Sequence, residues 1–182
     1  MTFSIQNHQL INVDFIASPN CNNRPKYTEI SLLVIHNISL PSGVFGGSEI
    51  ENLFTNQLDC SAHVSFKPLE KLTVSAHVLI KRTGEVIQFV AFDKRAWHAG
   101  DSSFDSRSNC NNFSIGIELE GTDLIPYEEI QYQQLVAITN ALMTCYPEIT
   151  RHRIVGHQDI APDRKTDPGE AFNWDYYFQL LG

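Results

Sequence analysis

Ile30-Ser31-Leu32-Leu33-Val34-Ile35, followed at once by His36-Asn37, is a short, mostly apolar run containing β-branched residues. Without polar alternation, such a run predicts a strand buried on both faces, as in a sheet covered by helices. The polar pair His36-Asn37 then projects from the strand's end, where α/β folds place site residues.

Before this strand, residues 1–29 mix polar residues with Asn20, Asn22, Asn23 and Pro25 and read as an irregular lead-in. After it, residues 41–75 read as an insertion opening on Pro41, Gly43, Gly46 and Gly47. Within the insertion, Ser48-x-x-Glu51 predicts a capping box for a short helix whose apolar face is Ile50, Leu53 and Phe54. Embedded loops of this length are usually functional or mobile. Residues 74–90 predict a hairpin about Arg82-Thr83-Gly84, with Gly84 at positive φ. Residues 113–120 alternate, with Phe113, Ile115, Ile117 and Leu119 on one face and Ser114, Gly116, Glu118 and Glu120 on the other. Pro126 suits the first turn of a helix that Pro147 ends, and Trp174, Tyr177, Phe178 and Leu181 predict a terminal helix docked on the core. The fold class that follows is α/β: a single domain over 1–182, with a central mixed β-sheet flanked by helices.

The chain has 182 residues, 42% hydrophobic and 19% charged, which is ordinary for a globular domain. A net charge of -8 with no basic run longer than Lys81-Arg82 argues against nucleic acid as a partner. Met1–Phe15 carries no Lys or Arg and no continuous apolar run, so no secretory signal is expected. No stretch has the length of a membrane span. Cys21, Cys60, Cys110 and Cys145 are scattered and need form no disulfide framework. The expectation is a cytoplasmic protein with reduced thiols, no membrane association and a monomeric state.

Chemistry concentrates in Gly156-His157-Gln158-Asp159-Ile160-Ala161-Pro162-Asp163-Arg164-Lys165-Thr166-Asp167-Pro168-Gly169. Its prolines forbid a continuous helix and predict a rigid polar loop, the kind of segment that carries site residues. Zinc is well served by two imidazoles and a carboxylate with one position left open. His36 and His157 stand out among seven histidines by their positions. Asp167, its direction constrained by Pro168, is an attractive third ligand. Spacing alone does not choose between Asp159, Asp163 and Asp167, all of which also suit turns. Lys165, two residues from Asp167, would bring a cation near a substrate oxygen. Glu118 and Glu120 lie about 6.6–6.8 Å apart along one strand face. That spacing suits either an inverting glycosidase or one catalytic and one structural acid, and the histidines favour the second. H-E-x-x-H is absent, so a thermolysin-like peptidase is not supported.

Val34–Asn37, Ser75–Ile80, Phe92–Gly100, Ile115–Thr122 and Gly156–Gly169 together resemble the zinc N-acetylmuramoyl-L-alanine amidases, and most nearly the branch acting on 1,6-anhydro-muropeptides in cell-wall recycling. The resemblance implies that His36, His157 and Asp167 bind one zinc ion per chain. It implies that Glu118 is the catalytic acid/base and that Lys165 steadies the tetrahedral intermediate. Asn37, Trp97 and Arg164 fall in runs that line the substrate groove of the family. Related phage enzymes carry a Tyr before the hairpin histidine and often a Cys ligand. Ala76 and Asp167 stand there in this chain, which places the work on Glu118 and favours the recycling branch. The expected substrate is a small soluble anhydro-muropeptide. His63, His77 and His98 take no metal role from the resemblance, and the last two read as structural or substrate-facing.

Overall fold

The computed structural model describes residues 2–182. Its first part forms β1 (Ile5–Gln6), β2 (Gln9–Leu10), β3 (Asp14–Phe15), β4 (Cys21–Asn23) and β5 (Leu32–Ile38). Then come α1 (Glu49–Phe54), a 3-10 turn at Val64–Leu69, β6 (Val78–Ile80), β7 (Val86–Gln88) and β8 (Lys94–Ala96). A small ribbon of β9 (Ser103–Phe104) and β10 (Arg107–Ser108) precedes β11 (Ser114–Glu120) and the long α2 (Glu129–Cys145). The chain closes with β12 (Ile154–Gly156), one helical turn α3 (His157–Ile160) and α4 (Trp174–Leu181).

Six strands build the central sheet in the order β12-β5-β11-β6-β7-β3. Neighbours are parallel except β6 and β7, the expected hairpin, so the sheet is mixed. Its turn uses Gly84 at φ 84°, and the chain is single-domain as expected. Leu33, Ile35, Ile115 and Ile117 face Leu135, Ile138 and Leu142 of α2 and the fully buried Tyr177 of α4. The other face of β5 buries Leu32 and Val34 against Ala99, Cys110 and Ile160. A separate cluster packs Ile50, Leu53 and Phe54 of α1 on Leu79, Ile87 and Phe89. Helix α1 therefore joins the insertion to the sheet by its apolar face.

Several local expectations are revised by tertiary contacts. The lead-in is not irregular: β3 extends the central sheet and β4 pairs with β8. From the same region Arg24 donates to the carbonyl oxygens of Phe92, Asn111, Asn112 and Ser114. The Ser48 side chain makes no cap hydrogen bond, and Glu51 instead pairs with Lys81 Nζ at 2.5 Å across the hairpin. Phe113 precedes β11, in the end of a 3-10 turn, and packs in the Leu32–Val34 cluster rather than with Ile115. Pro126 lies ahead of α2, because Tyr127 is drawn out to place its hydroxyl on Pro168 O at 2.7 Å.

Candidate metal centre and cleft

Parallel pairing of β12, β5 and β11 brings their carboxyl ends to one edge of the sheet. Register then sets the neighbours. Glu118 is paired with His36, and Gly156 with Ile35, so His157 emerges beside His36 as β12 turns into α3. The rigid segment expected to be loop throughout starts at the end of β12 with Gly156 and spends His157–Ile160 as α3; its prolines come only after that turn. It then doubles back, with Gln158 N donating to Asp167 O at 3.0 Å. Asp159 turns on its own helix, accepting from Gly156 N at 2.7 Å, and Asp163 is exposed. Asp167 alone of the three reaches the imidazoles.

His36 Nδ1, His157 Nδ1 and Asp167 Oδ2 form a triangle with every side 3.0 Å. His36 and His157 are buried, and the Asp167 side chain is nearly so. A tetrahedral ion with bonds of about 2.0–2.2 Å would hold such donors about 3.3–3.6 Å apart. The triangle needs to open by only a few tenths of an ångström to match. Its chemistry fits as well. Burial drives the His36 pKa down to about 4, keeping that imidazole neutral. Burial alone would raise the Asp167 carboxyl, but hydrogen bonds with His157 and His36 outweigh it and hold the group ionised. The His157 Nε2 edge faces Ala99 O at 3.1 Å. Two imidazole nitrogens with one carboxylate are a donor set that suits a divalent zinc ion.

Glu118 and Glu120 have opposite surroundings. The Glu120 carboxylate accepts from Gly46 N at 2.6 Å and from Arg82 N at 3.0 Å, so both oxygens are used in tying the insertion and the hairpin to β11. Glu118 lies partly open to the cleft, yet its Oε2 is shut from solvent and has no hydrogen-bond partner. Burial, reinforced by the charge of Asp167, raises its pKa well above the usual carboxylate range, while Lys165 opposes the shift. Lys165 shares the cleft with Glu118 and Asp167 and forms no ion pair among the described residues.

The cleft over these groups holds about 450 Å³ and is walled by Leu40, Leu53, Phe54, Leu69, Leu72 and Val74. Most of that wall comes from the 41–75 insertion. A second, polar hollow of about 710 Å³ shares Asn37, Arg164, Lys165 and Asp167 with it and runs on past Ser39, Thr122 and Asp123. Trp97 lines the first cleft and anchors its indole N–H on Asn22 Oδ1 at 2.9 Å. Asn37 and Arg164 line both hollows but also brace the site. The Asn37 amide donates to Pro168 O at 3.0 Å and Asp123 Oδ1 at 2.8 Å. Arg164 Nη2 donates to Ala99 O and Asp101 O, each at 2.7 Å. His63 is exposed, and its Nδ1 accepts from Ser65 N at 3.2 Å. His77 is buried, and half-buried His98 stands between it and His36 and also lines the cleft. Sequence reading missed Asp123 and Tyr127, which steady the loop carrying Asp167. Their contacts with it each span more than forty positions, and no local pattern links them.

Three comparisons with known proteins agree. The profile of the family described as N-acetylmuramoyl-L-alanine amidase matches residues 26–170. The 1,6-anhydro-N-acetylmuramyl-L-alanine amidase AmpD of Escherichia coli K12 is 56% identical over 172 residues, spanning 94% of this chain and 93% of that protein. A crystal structure of a selenomethionine AmpD derivative superposes with a TM-score of 0.95 at 52% identity, over 98% of this chain and 99% of that one. The amidase AmiD from E. coli, solved with anhydro-N-acetylmuramic acid-L-Ala-D-gamma-Glu-L-Lys as substrate, matches with a TM-score of 0.61 at 25% identity, over 98% of this chain and 65% of that one.

Proposed function

This chain belongs to the N-acetylmuramoyl-L-alanine amidase family, and from that membership we propose that it is a zinc-dependent hydrolase of the amide between 1,6-anhydro-N-acetylmuramic acid and L-alanine in soluble muropeptides. The observation that carries the reading is the 3.0 Å triangle of His36, His157 and Asp167 at the strand ends, with Glu118 on the adjacent strand in register with His36. Similarity to AmpD over nearly the whole chain supports the anhydro-sugar substrate, and the AmiD complex supports a muropeptide of that chemistry.

In this reading His36, His157 and Asp167 hold the ion. A bound zinc ion makes water acidic enough to attack at neutral pH and polarises the scissile carbonyl. Glu118 takes the proton that the attacking water loses and delivers it to the departing nitrogen of L-alanine. Its raised pKa suits it to carry that proton between the two events. The water's oxygen ends in the lactyl carboxyl group and the peptide leaves with a free amine. Lys165 places a cation beside the carbonyl oxygen, where negative charge develops. Asn37, Trp97 and Arg164 contact the substrate along the groove, and the apolar wall from the insertion excludes water. The reaction takes place in the cytoplasm on a monomer. Four unpaired cysteines support a reducing compartment, and no helix among the described residues is long and apolar enough to cross a membrane.

Mass spectrometry of an anhydro-muropeptide after incubation tests the reading directly. The expected products are the free anhydro sugar acid and the intact stem peptide. Chelation should abolish their formation and added zinc restore it. Cleavage at a glycosidic bond, or no products from the zinc-loaded protein, would refute it.

A further inference from the structure

An imidazole that binds a metal through Nδ1 must carry its proton on Nε2, and the partner at that far edge decides whether it does. At both histidines of the triangle the far edge meets one short segment. His36 Nε2 lies 2.9 Å from His98 Nδ1, and His157 Nε2 lies 3.1 Å from Ala99 O. The carbonyl can only accept. His98 Nδ1 can accept as well when His98 carries its proton on Nε2, where Ser114 Oγ, 3.1 Å away, is in place to receive it.

The segment itself is fixed. Asn111 Oδ1 accepts the backbone N–H of His98 at 3.2 Å and that of Ala99 at 2.8 Å. The His98 ring lies on Gly116, where an added Cβ would come within 2.5 Å of Nδ1. Gly116 is held in turn by His77, whose Nδ1 accepts its N–H at 3.1 Å while His77 Nε2 faces Lys94 O at 3.1 Å.

We propose that the dipeptide His98-Ala99, locked by Asn111, is the positioning element of the metal centre: His98 Nδ1 and Ala99 O accept the far N–H groups of His36 and His157 and so leave both Nδ1 lone pairs aimed at one point. The inference rests on the metal reading above and assigns His98 a role the sequence left open. Without the acceptor at His98, His36 is free to put its proton on Nδ1 and donate it to Asp167 Oδ2, 3.0 Å away, in competition with the ion.

The test compares His98→Leu, which removes the acceptor, with His98→Asn, whose side-chain oxygen occupies nearly the same place as the imidazole Nδ1. Zinc affinity is read by competition with a chromogenic chelator, beside a urea melt of each variant. Loss of an outer hydrogen bond of this kind weakens metal binding by about 10–100-fold, and that loss is expected for His98→Leu with a cooperative melt retained. His98→Asn should recover most of it. Wild-type affinity in His98→Leu, or equal weakness in both variants, overturns the proposal. If neither variant folds, 15N spectra of the zinc-loaded wild type decide. A proton on His36 Nε2 with 15N coupling across to His98 Nδ1 supports it, and a proton on His36 Nδ1 overturns it. Failure of the metal reading itself looks different: wild-type protein would bind no zinc, or would bind it unchanged in His36→Ala.

Discussion

Replacing the two strand carboxylates by their amide isosteres should separate stability from activity. In Glu120→Gln one backbone N–H, from Gly46 or Arg82, meets an amide NH2 instead of an acceptor oxygen. Losing one charge-assisted hydrogen bond in a half-buried contact with the carboxylate costs about 2–3 kcal/mol. At about 2–4 °C per kcal/mol for a chain of this length, Tm should fall by about 4–12 °C. Turnover should stay near wild type, since both Glu120 oxygens are engaged away from the cleft. In Glu118→Gln the change removes a charge from an oxygen that has no partner. The zinc-free variant should therefore gain about 1–3 kcal/mol near neutral pH. The sign with pH follows from the raised Glu118 pKa. The folded state holds this proton longer than the unfolded state. Wild-type stability from this group is thus full below the ordinary glutamate pKa and is lost as pH rises through the folded value. The Tm advantage of Glu118→Gln should accordingly vanish in acid and grow toward alkaline pH. Its turnover should drop by about 10²–10⁴-fold, the usual contribution of a positioned acid/base. Differential scanning calorimetry of zinc-free proteins across pH, with the mass-spectrometric product assay of the zinc-loaded ones, reads all four quantities. A Glu118→Gln protein that is destabilised and active, beside a stable and inactive Glu120→Gln, would show that the two acids have been assigned backwards.

Asp167→Ala removes the anionic corner of the triangle and should abolish stoichiometric zinc, measured by equilibrium dialysis and metal analysis; retention of one ion per chain would rule out that ligand. Lys165→Ala should keep its zinc and melt like wild type, while turnover falls about a hundredfold or more; an unchanged rate would reduce the lysine to a surface charge. Arg24→Leu strips the donors from four carbonyls, three of them on buried residues, and its Tm should fall by about 10 °C, in line with a loss of about 3–5 kcal/mol. Burial already lowers the Arg24 pKa to about 10, and a urea melt indistinguishable from wild type would mean that water replaces those bonds without cost.

Local pattern was enough wherever periodicity reports burial. The unbroken run before His36 identified β5, alternation identified β11 and put Glu118 and Glu120 on the face opposite Ile115 and Ile117, and the hairpin followed from Gly84. Pattern misled where a distant partner competed for the same group. Glu51 left its capping box for Lys81, and Tyr127 left the helix for Pro168. The lead-in was misread because its short strands carry little periodicity and are defined by what they pair with.

Of the candidate centre, the sequence by itself determined the donor types, the strand that presents His36 and the rigid segment that presents His157. Tertiary structure decided that Asp167, and not Asp159 or Asp163, closes the triangle. It also decided which glutamate is bound up in hydrogen bonds and which is left unpartnered, and it put His98 and Ala99 behind the two imidazoles. The physical reason is the range of each signal. Periodicity records which face of an element is buried, and that is a property of a few neighbouring residues. Strand register and loop closure bring together groups more than a hundred positions apart, and only the packed chain specifies which atoms then meet.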